Sequence, residues 1–278
     1  MNTQFSESSP SPELIPFVQS FWLGNFNVNG SKQFSQTVTP NGCIELIIHI
    51  SEAHCYLFKP TSQWSATPVF TLLGLFDKPY DVKFSQRVKV FGVRFYPDGI
   101  RNIFGVTPSE FLATYENSLD VLGTSLNEFC ERIRALDNFE QQVRHANQFI
   151  LQQLLIHVKS YDYTHYAMKL IRQSQGMMDY KQLMTEVPIS TRQLQREFKS
   201  VYGITVMDYM RLLRLNAIQN YMCAGNARLS ELPYELNFTD QSHFIREFRN
   251  YVGVPPRKFR KSRSEFIVNP KPSFPGRL

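Results

Sequence analysis

The chain is poor in the features that mark secreted, membrane and catalytic proteins. Four cysteines occur in 278 residues, at 43, 55, 130 and 223. That is not a disulfide framework, and no C-x-x-C pair suggests zinc. The opening residues, MNTQFSESSPSPELIPF, lack a basic segment followed by an apolar one. No apolar run of about 18 residues occurs either. Secreted and membrane classes are therefore not expected, and a reducing cytoplasm is the expected compartment. Neither a nucleophile elbow nor a phosphate loop is present, so no enzyme, cofactor or metal is expected.

What the chain does have is apolar material: 42% hydrophobic residues, with 23 Phe and 13 Tyr. Such a composition supports a packed core and argues against intrinsic disorder. At 278 residues the length suggests two domains. Charge supports a division. Residues 1–160 hold 12 basic and 14 acidic side chains, a net −2, whereas the shorter remainder holds 18 and 10, a net +8. A basic module joined to one that is not basic suggests that one part meets a polyanion.

The basic half repeats itself at an offset of 50 residues. Arg196, Glu197, Phe198 and Gly203 recur as Arg246, Glu247, Phe248 and Gly253. Leu194 pairs with Phe244, Lys199 with Arg249, Ile204 with Val254 and Tyr209 with Phe259. A self-match of this kind means one supersecondary unit used twice. Each copy reads as a helix. Ser190 and Asp240 stand as N-caps, with Gln193 completing a capping box in the first copy. Apolar residues at 194, 198 and 201, and at 244, 248 and 251, give a half-buried stripe. Gly203 and Gly253 stand where a C′ residue takes positive φ. Short amphipathic segments, Tyr180–Val187 and Leu229–Leu236, precede the two copies, so each reads as helix, turn, capped helix.

The opposite faces carry Arg192, Gln195, Arg196 and Lys199 in one copy, and Ser242, Arg246 and Arg249 in the other. Arg can fork onto guanine O6 and N7, and Gln can pair both ways with adenine. A charged helix face is commonly just solvated, but solvation alone gives no reason to repeat Arg at the same helical position. Between the copies Thr205–Cys223 reads as a linker helix, capped by Thr205 with Asp208 completing a box. Its 19 residues span roughly 28 Å at 1.5 Å each. That length is compatible with two recognition helices about one turn of B-DNA apart, roughly 34 Å.

Residues from about Tyr163 to Ser262 resemble the double helix-turn-helix domain of the AraC/XylS transcriptional regulators. The motifs are Ile189-Ser-Thr-Arg-Gln-Leu-Gln-Arg-Glu-Phe-Lys, Gly203-Ile-Thr with Tyr209, and Arg214-Leu215. In the second unit they are Asn237-Phe-Thr-Asp-Gln-Ser-His-Phe-Ile-Arg-Glu-Phe and Gly253-Val-Pro-Pro-Arg-Lys-Phe-Arg260. The resemblance implies a bacterial DNA-binding transcriptional regulator, activator or repressor being left open. Double-stranded DNA is its partner, RNA polymerase is expected as another, and a small-molecule effector or a homodimer is left open. It places base-reading residues at Arg192, Gln195 and Arg196, and at Ser242, His243 and Arg246. Lys199, Arg249, Arg257 and Lys258 become phosphate contacts. Leu232-Pro233, Asn237 and Ile218 depart from the family pattern. They put the packing of the second unit in question, not its presence.

The first half is strand-like. Short β-branched and aromatic runs lie at Thr37–Val38, Cys43–Ile50, His54–Phe58, Val69–Leu75 and Val88–Phe95, separated by turn residues. Helices are expected after Thr107 and Ser125, each opening a capping box, and along Val143, Ala146, Ile150, Leu154 and Val158. The segments Pro40–Ile47 and Val90–Gly99 resemble a domain found on some AraC-type regulators, which implies a cupin-like fold. The expected fold is therefore an N-terminal α+β domain, a small β-barrel or sheet followed by helices, and a C-terminal all-α double helix-turn-helix with a linker helix. The expected boundaries are a disordered 1–13, an effector-binding or dimerisation domain over 14–158, a DNA-binding domain over 159–263 and a flexible 264–278.

Alternate residues of a strand share a face, so Cys43, Glu45 and His49 fall together. With Arg94 they form a candidate effector site. A metal on Cys43, Glu45 and His49, with His54 or Cys55, lacks a convincing further ligand. Arg94 inside an apolar strand needs a carboxylate, and Glu45 is the favoured one. Two alternatives to an effector-controlled regulator were open on sequence. One is a DNA-alkylation-repair enzyme fused to such a domain, which requires clustered soft ligands. The other is a regulator controlled by a protein partner.

Overall fold

The structure is a computed structural model, and it describes residues 2–27, 34–58, 63–84, 87–157, 161–223, 241–261 and 266–267. The chain forms two compact units. One comprises Met1–Ser35, Cys43–Leu75 and Asp81–Ser160, and the other Gln36–Gly42, Phe76–Tyr80 and Tyr161–Leu278. Two pieces of the N-terminal half, 36–42 and 76–80, thus belong with the C-terminal helices. A single cut near residue 158 does not capture that division.

The first unit is built on β-strands. β1 (Asn2–Ser8), β2 (Val18–Asn27), β4 (Ile44–His49), β7 (Phe70–Leu73), β9 (Val88–Phe95) and β10 (Tyr115–Asn117) make a six-stranded sheet in the order β1-β2-β9-β4-β7-β10. Neighbours run antiparallel throughout. A second sheet of this unit holds β5 (Cys55–Phe58) between β6 (Trp64–Ala66) and β8 (Tyr80–Phe84); β3 (Phe34–Val38) pairs with β11 (Phe266–Ile267) at residues that belong to the other unit. Strands β4 and β9 lie inside the larger sheet, and Ile44, Leu46, Ile48, Val90, Phe91, Val93 and Phe95 are buried. Covered on both faces, such strands read as continuous apolar runs rather than as alternation.

Helices follow: α1 (Pro97–Phe104), α2 (Ser118–Leu122), α3 (Ser125–Ala135) and α4 (Phe139–Ile156). Pro97 stands at the first helical position, and Gly105 closes α1 at φ 71°. Asn138 caps α4 by accepting from the Gln141 N–H at 2.9 Å. Phe129 of α3 stacks on Phe149 of α4 with centroids 4.2 Å apart.

Three expectations are corrected in this unit. The expected disordered tail over 1–13 is not what residues 2–13 form, because β1 pairs with β2 along its whole length and Leu14, just beyond, is fully buried. Thr107 opens only a short 3₁₀ turn, Pro108–Phe111, and its side chain makes no capping bond. The chain then enters β10 where a helix through Tyr115 was expected. Helix α3 forms, but Thr124 holds the N-cap position, again without a side-chain bond, and Ser125 is already helical.

The second unit is helical: α5 (Tyr163–Gln173), α6 (Tyr180–Glu186), α7 (Thr191–Tyr202), α8 (Val206–Cys223), α9 (Gln241–Val252) and α10 (Pro256–Lys261). Helix α8 is buried nearly all round, through Tyr209, Met210, Leu212, Leu215, Ile218 and Met222 among others. The buried residues include the polar Asn216, Gln219 and Asn220 as well, so the helix is enclosed by its unit over most of its length. Thr205 starts it as expected, its Oγ1 accepting from the Asp208 N–H at 3.1 Å and donating to Asp208 Oδ2 at 2.6 Å. The Pro40-Asn41-Gly42 turn, part of this same unit, offers three successive carbonyls. Tyr251 Oη donates to Pro40 O, Asn216 Nδ2 to Asn41 O at 3.2 Å and Tyr209 Oη to Gly42 O at 3.1 Å.

The Leu229–Leu236 segment, the Asp240 cap, Pro233 and Asn237 lie outside the described residues. So does residue 158, and of the expected 264–278 tail only Phe266–Ile267 is described, where it pairs in parallel with β3.

Candidate nucleic-acid interface

Helix α7 is delimited by its own sequence. Ser190 Oγ accepts from the Gln193 N–H at 3.3 Å, and Gly203 takes φ 75° with its N–H donating to Lys199 O. The Gln193 side chain does not reach back to close a capping box; it donates to Glu197 Oε1 at 2.9 Å. One stripe of the helix, Leu194, Phe198 and Tyr202, is buried. That burial fixes the rotation of the helix and turns the opposite face outward.

On that face Arg192, Arg196 and Lys199 are exposed and Gln195 is half-buried. Glu197 stands beside them, 3.7 Å from the Arg196 guanidinium, whose side chain keeps 75% of its surface. The Gln195 amide donates to the Tyr180 hydroxyl at 3.0 Å. Tyr180 opens α6, which Asp179 caps by accepting from the Lys181 N–H at 2.6 Å.

Helix α9 presents the second copy in the same rotation. Phe244, Phe248, Tyr251 and Val252 are buried. Ser242, Arg246 and Arg249 are exposed, and His243 is half-buried. Position by position from 191 to 200 and from 241 to 250 the order of exposed, half-buried and buried residues is the same, save that Gln195 is half-buried and Ile245 exposed. Glu247 repeats the role of Glu197. It lies 3.8 Å from His243, four residues earlier, and also accepts from Arg211 Nε at 2.8 Å. After α9, helix α10 exposes Arg257, Lys258, Arg260 and Lys261 while Phe259 is fully buried.

All ten expected DNA-facing residues therefore lie on described helices, and eight of them are exposed. The supporting roles of Tyr180, Gln193, Glu197 and Glu247 were not assigned from sequence. The repeat itself flagged Glu197 and Glu247, whereas Tyr180 meets Gln195 only through the angle between α6 and α7.

The candidate effector residues are arranged differently. Glu45 and Arg94 face each other across the β4–β9 pair. Arg94 Nε donates to Glu45 Oε1 at 3.1 Å, as favoured on sequence, and Nη1 donates to Glu7 Oε1 at 3.0 Å. The second partner was not foreseen. The guanidinium also lies 5.3 Å from the Trp22 ring, and that indole packs over Gly92, where a Cβ would come within 2.0 Å of it. His49 is engaged elsewhere, its Nε2 with Thr67 Oγ1 at 3.0 Å and its Nδ1 with Ala53 O at 3.3 Å. Burial, with His54 and Arg134 nearby, pulls its pKa down to about 4. Cys43 is buried. Burial pushes the Cys55 thiol up to about 12 and the Cys130 thiol higher still. Among the described residues no group of three or more His, Cys, Asp or Glu is placed to hold a metal ion. No helix among them is long and apolar enough to cross a membrane.

Residues 183–262 match a family described as "Helix-turn-helix domain". The transcriptional activator RhaS of Escherichia coli (strain K12 / DH10B) is 30% identical over 79 residues, 28% of this chain. Residues 183–262 are thus a helix-turn-helix domain similar to the one in this transcriptional activator. Residues 6–116 match a second family, the domain of unknown function DUF6597. The AraC-type match spans 28% of the length of RhaS. A crystal structure of ToxT from Vibrio cholerae O395 is 13% identical, covering 87% of this chain and 98% of its own, with a TM-score of 0.48. The AraC-like transcriptional activator CuxR is 12% identical, covering 78% and 86%, with a TM-score of 0.29.

Proposed function

We propose that the chain is a sequence-specific DNA-binding transcriptional regulator of the AraC type, with α7 and α9 entering successive major grooves on one face of the duplex. The observation that carries this reading is the duplicated face: Arg192, Gln195 and Arg196 on one helix, Ser242, His243 and Arg246 on the other, in one helical register. Arg196 and Arg246 are the guanine-type readers, and Gln195 is the adenine-type reader. Lys199, Arg249, Arg257 and Lys258 bind phosphates and set the salt dependence. Helix α8, 18 residues long, spans roughly 27 Å and spaces the two readers.

RNA polymerase, a second copy of the chain and a small-molecule effector are the further partners that this reading brings with it, the last two through the sheet-rich unit. An acidic effector aimed at Arg94 must displace Glu45 or Glu7, since both carboxylates already hold that guanidinium.

The test is equilibrium binding of the full chain to duplexes recovered from a random pool. Arg196→Ala and Arg246→Ala should each lose about 1–3 kcal/mol of discrimination at separate base pairs. Equal weakening on every sequence would make both residues phosphate contacts instead.

A further inference from the structure

Between residues 191–200 and 241–250 the burial of the two copies parts at one repeat position. Gln195 is half-buried and joined to Tyr180; its equivalent, Ile245, leaves 41% of its surface exposed. The helical neighbours of Ile245 at three residues before and four after are Ser242 and Arg249, both exposed. The aliphatic side chain therefore sits amid the polar and basic face that α9 presents. It lies off the buried stripe, which runs through Phe244, Phe248, Tyr251 and Val252. A β-branched residue there gives the helix no propensity advantage either. In the major groove one base edge alone offers an apolar group, the 5-methyl of thymine.

We propose that Ile245 is a specificity-determining residue of the second recognition helix, packing against a thymine methyl. The two half-sites then differ at the equivalent base. Under α7 the Gln195 amide gives one N–H to Tyr180 and keeps its carbonyl and second N–H for adenine N6 and N7. Under α9 the same place takes thymine. This inference rests on the two-groove reading above.

The experiment uses the full chain and the best duplex recovered from a random pool. Each thymine is replaced in turn by 2′-deoxyuridine, which lacks only the methyl. The α9 half-site is assigned by the bases at which Arg246→Ala loses discrimination. Wild type should bind about fourfold more weakly at one replaced thymine in that half-site, the effect of one buried methyl. Ile245→Ala should show the same loss on the unmodified duplex and no response to that replacement. A wild-type protein indifferent to every replacement overturns the Ile245 assignment, as does an Ile245→Ala variant that still responds like wild type. If the pool yields no preferred sequence, the two-groove reading itself fails, and this inference with it.

Discussion

Arg214 and Gly176 are joined by a fork: Nε and Nη2 of the one both donate to the carbonyl of the other, at 3.1 and 2.9 Å. The contact ties the linker helix α8 to the turn after α5. Gly176 has φ +73°, and a Cβ there would come within 2.1 Å of Met210 O in α8. Left-handed backbone costs a non-glycine residue about 1–2 kcal/mol, and here a backbone atom that cannot swing aside adds a clash. Gly176→Ala should lower unfolding free energy by more than about 2 kcal/mol, measured by urea denaturation. Arg214→Lys should cost less, because an ammonium keeps a donor but not the fork. An unchanged midpoint for Gly176→Ala contradicts the packing described.

Arg94 is buried between Glu45 and Glu7. Removing the cation leaves two carboxylates without it in the sheet interior. Arg94→Met should therefore cost about 3–5 kcal/mol, and Glu45→Gln in the same chain should recover part of that loss. Chemical denaturation of the single and double variants reads both effects. Additive losses would show that the two residues do not act as a pair.

His49 has a folded pKa near 4, below its ordinary 6.5, because the imidazolium is disfavoured by burial. The unfolded chain binds a proton that the folded chain refuses. Stability from this group is thus complete above pH 6.5 and falls as pH drops towards 4, by at most about 3 kcal/mol. His49→Asn should flatten that part of the stability–pH curve. Parallel curves for wild type and variant would contradict the assignment.

Under the proposed reading, Tyr180 bears on DNA through Gln195, whose amide donates to its hydroxyl at 3.0 Å. Tyr180→Phe should fold with a small change in stability, about 1 kcal/mol for one partly exposed hydrogen bond. Its effect should fall on base preference: selection from a random duplex pool should show weakened adenine preference at one position, the position that Gln195→Ala also affects. A loss spread over all sequences would mean that Tyr180 merely supports the fold.

The basic half was legible in sequence because its signals are local and doubled. Ser190 and Gly203 bound α7 within 14 residues, and the 50-residue offset repeats both the apolar stripe and the arginines. The N-terminal unit was legible only in part. Val88–Phe95 was read with its bounds, since it is an unbroken apolar and β-branched run. Val18–Asn27 was not read, because Gly24, Asn25 and Asn27 dilute a strand whose partners lie far along the chain. Polar β1 gave no local signal at all. Its place depends on Phe5 stacking on Trp22 at 5.6 Å and on Glu7 reaching Arg94, contacts that only the folded sheet creates. Thr107 and Ser125 show the converse: they carry the same capping signature as Ser190, yet neither provides a side-chain cap. On α7 and α9, charge and register singled out the side chains proposed to read bases, but not Tyr180, which holds one of them through the Gln195 amide.

Hydroxyl-radical footprinting of the full chain on its selected duplex tests the central claim most directly. Two protected patches about 10 base pairs apart on one face of the helix are expected, with Arg196→Ala weakening one patch and Arg246→Ala the other. A single patch, or protection that is the same on unrelated duplexes, would contradict it.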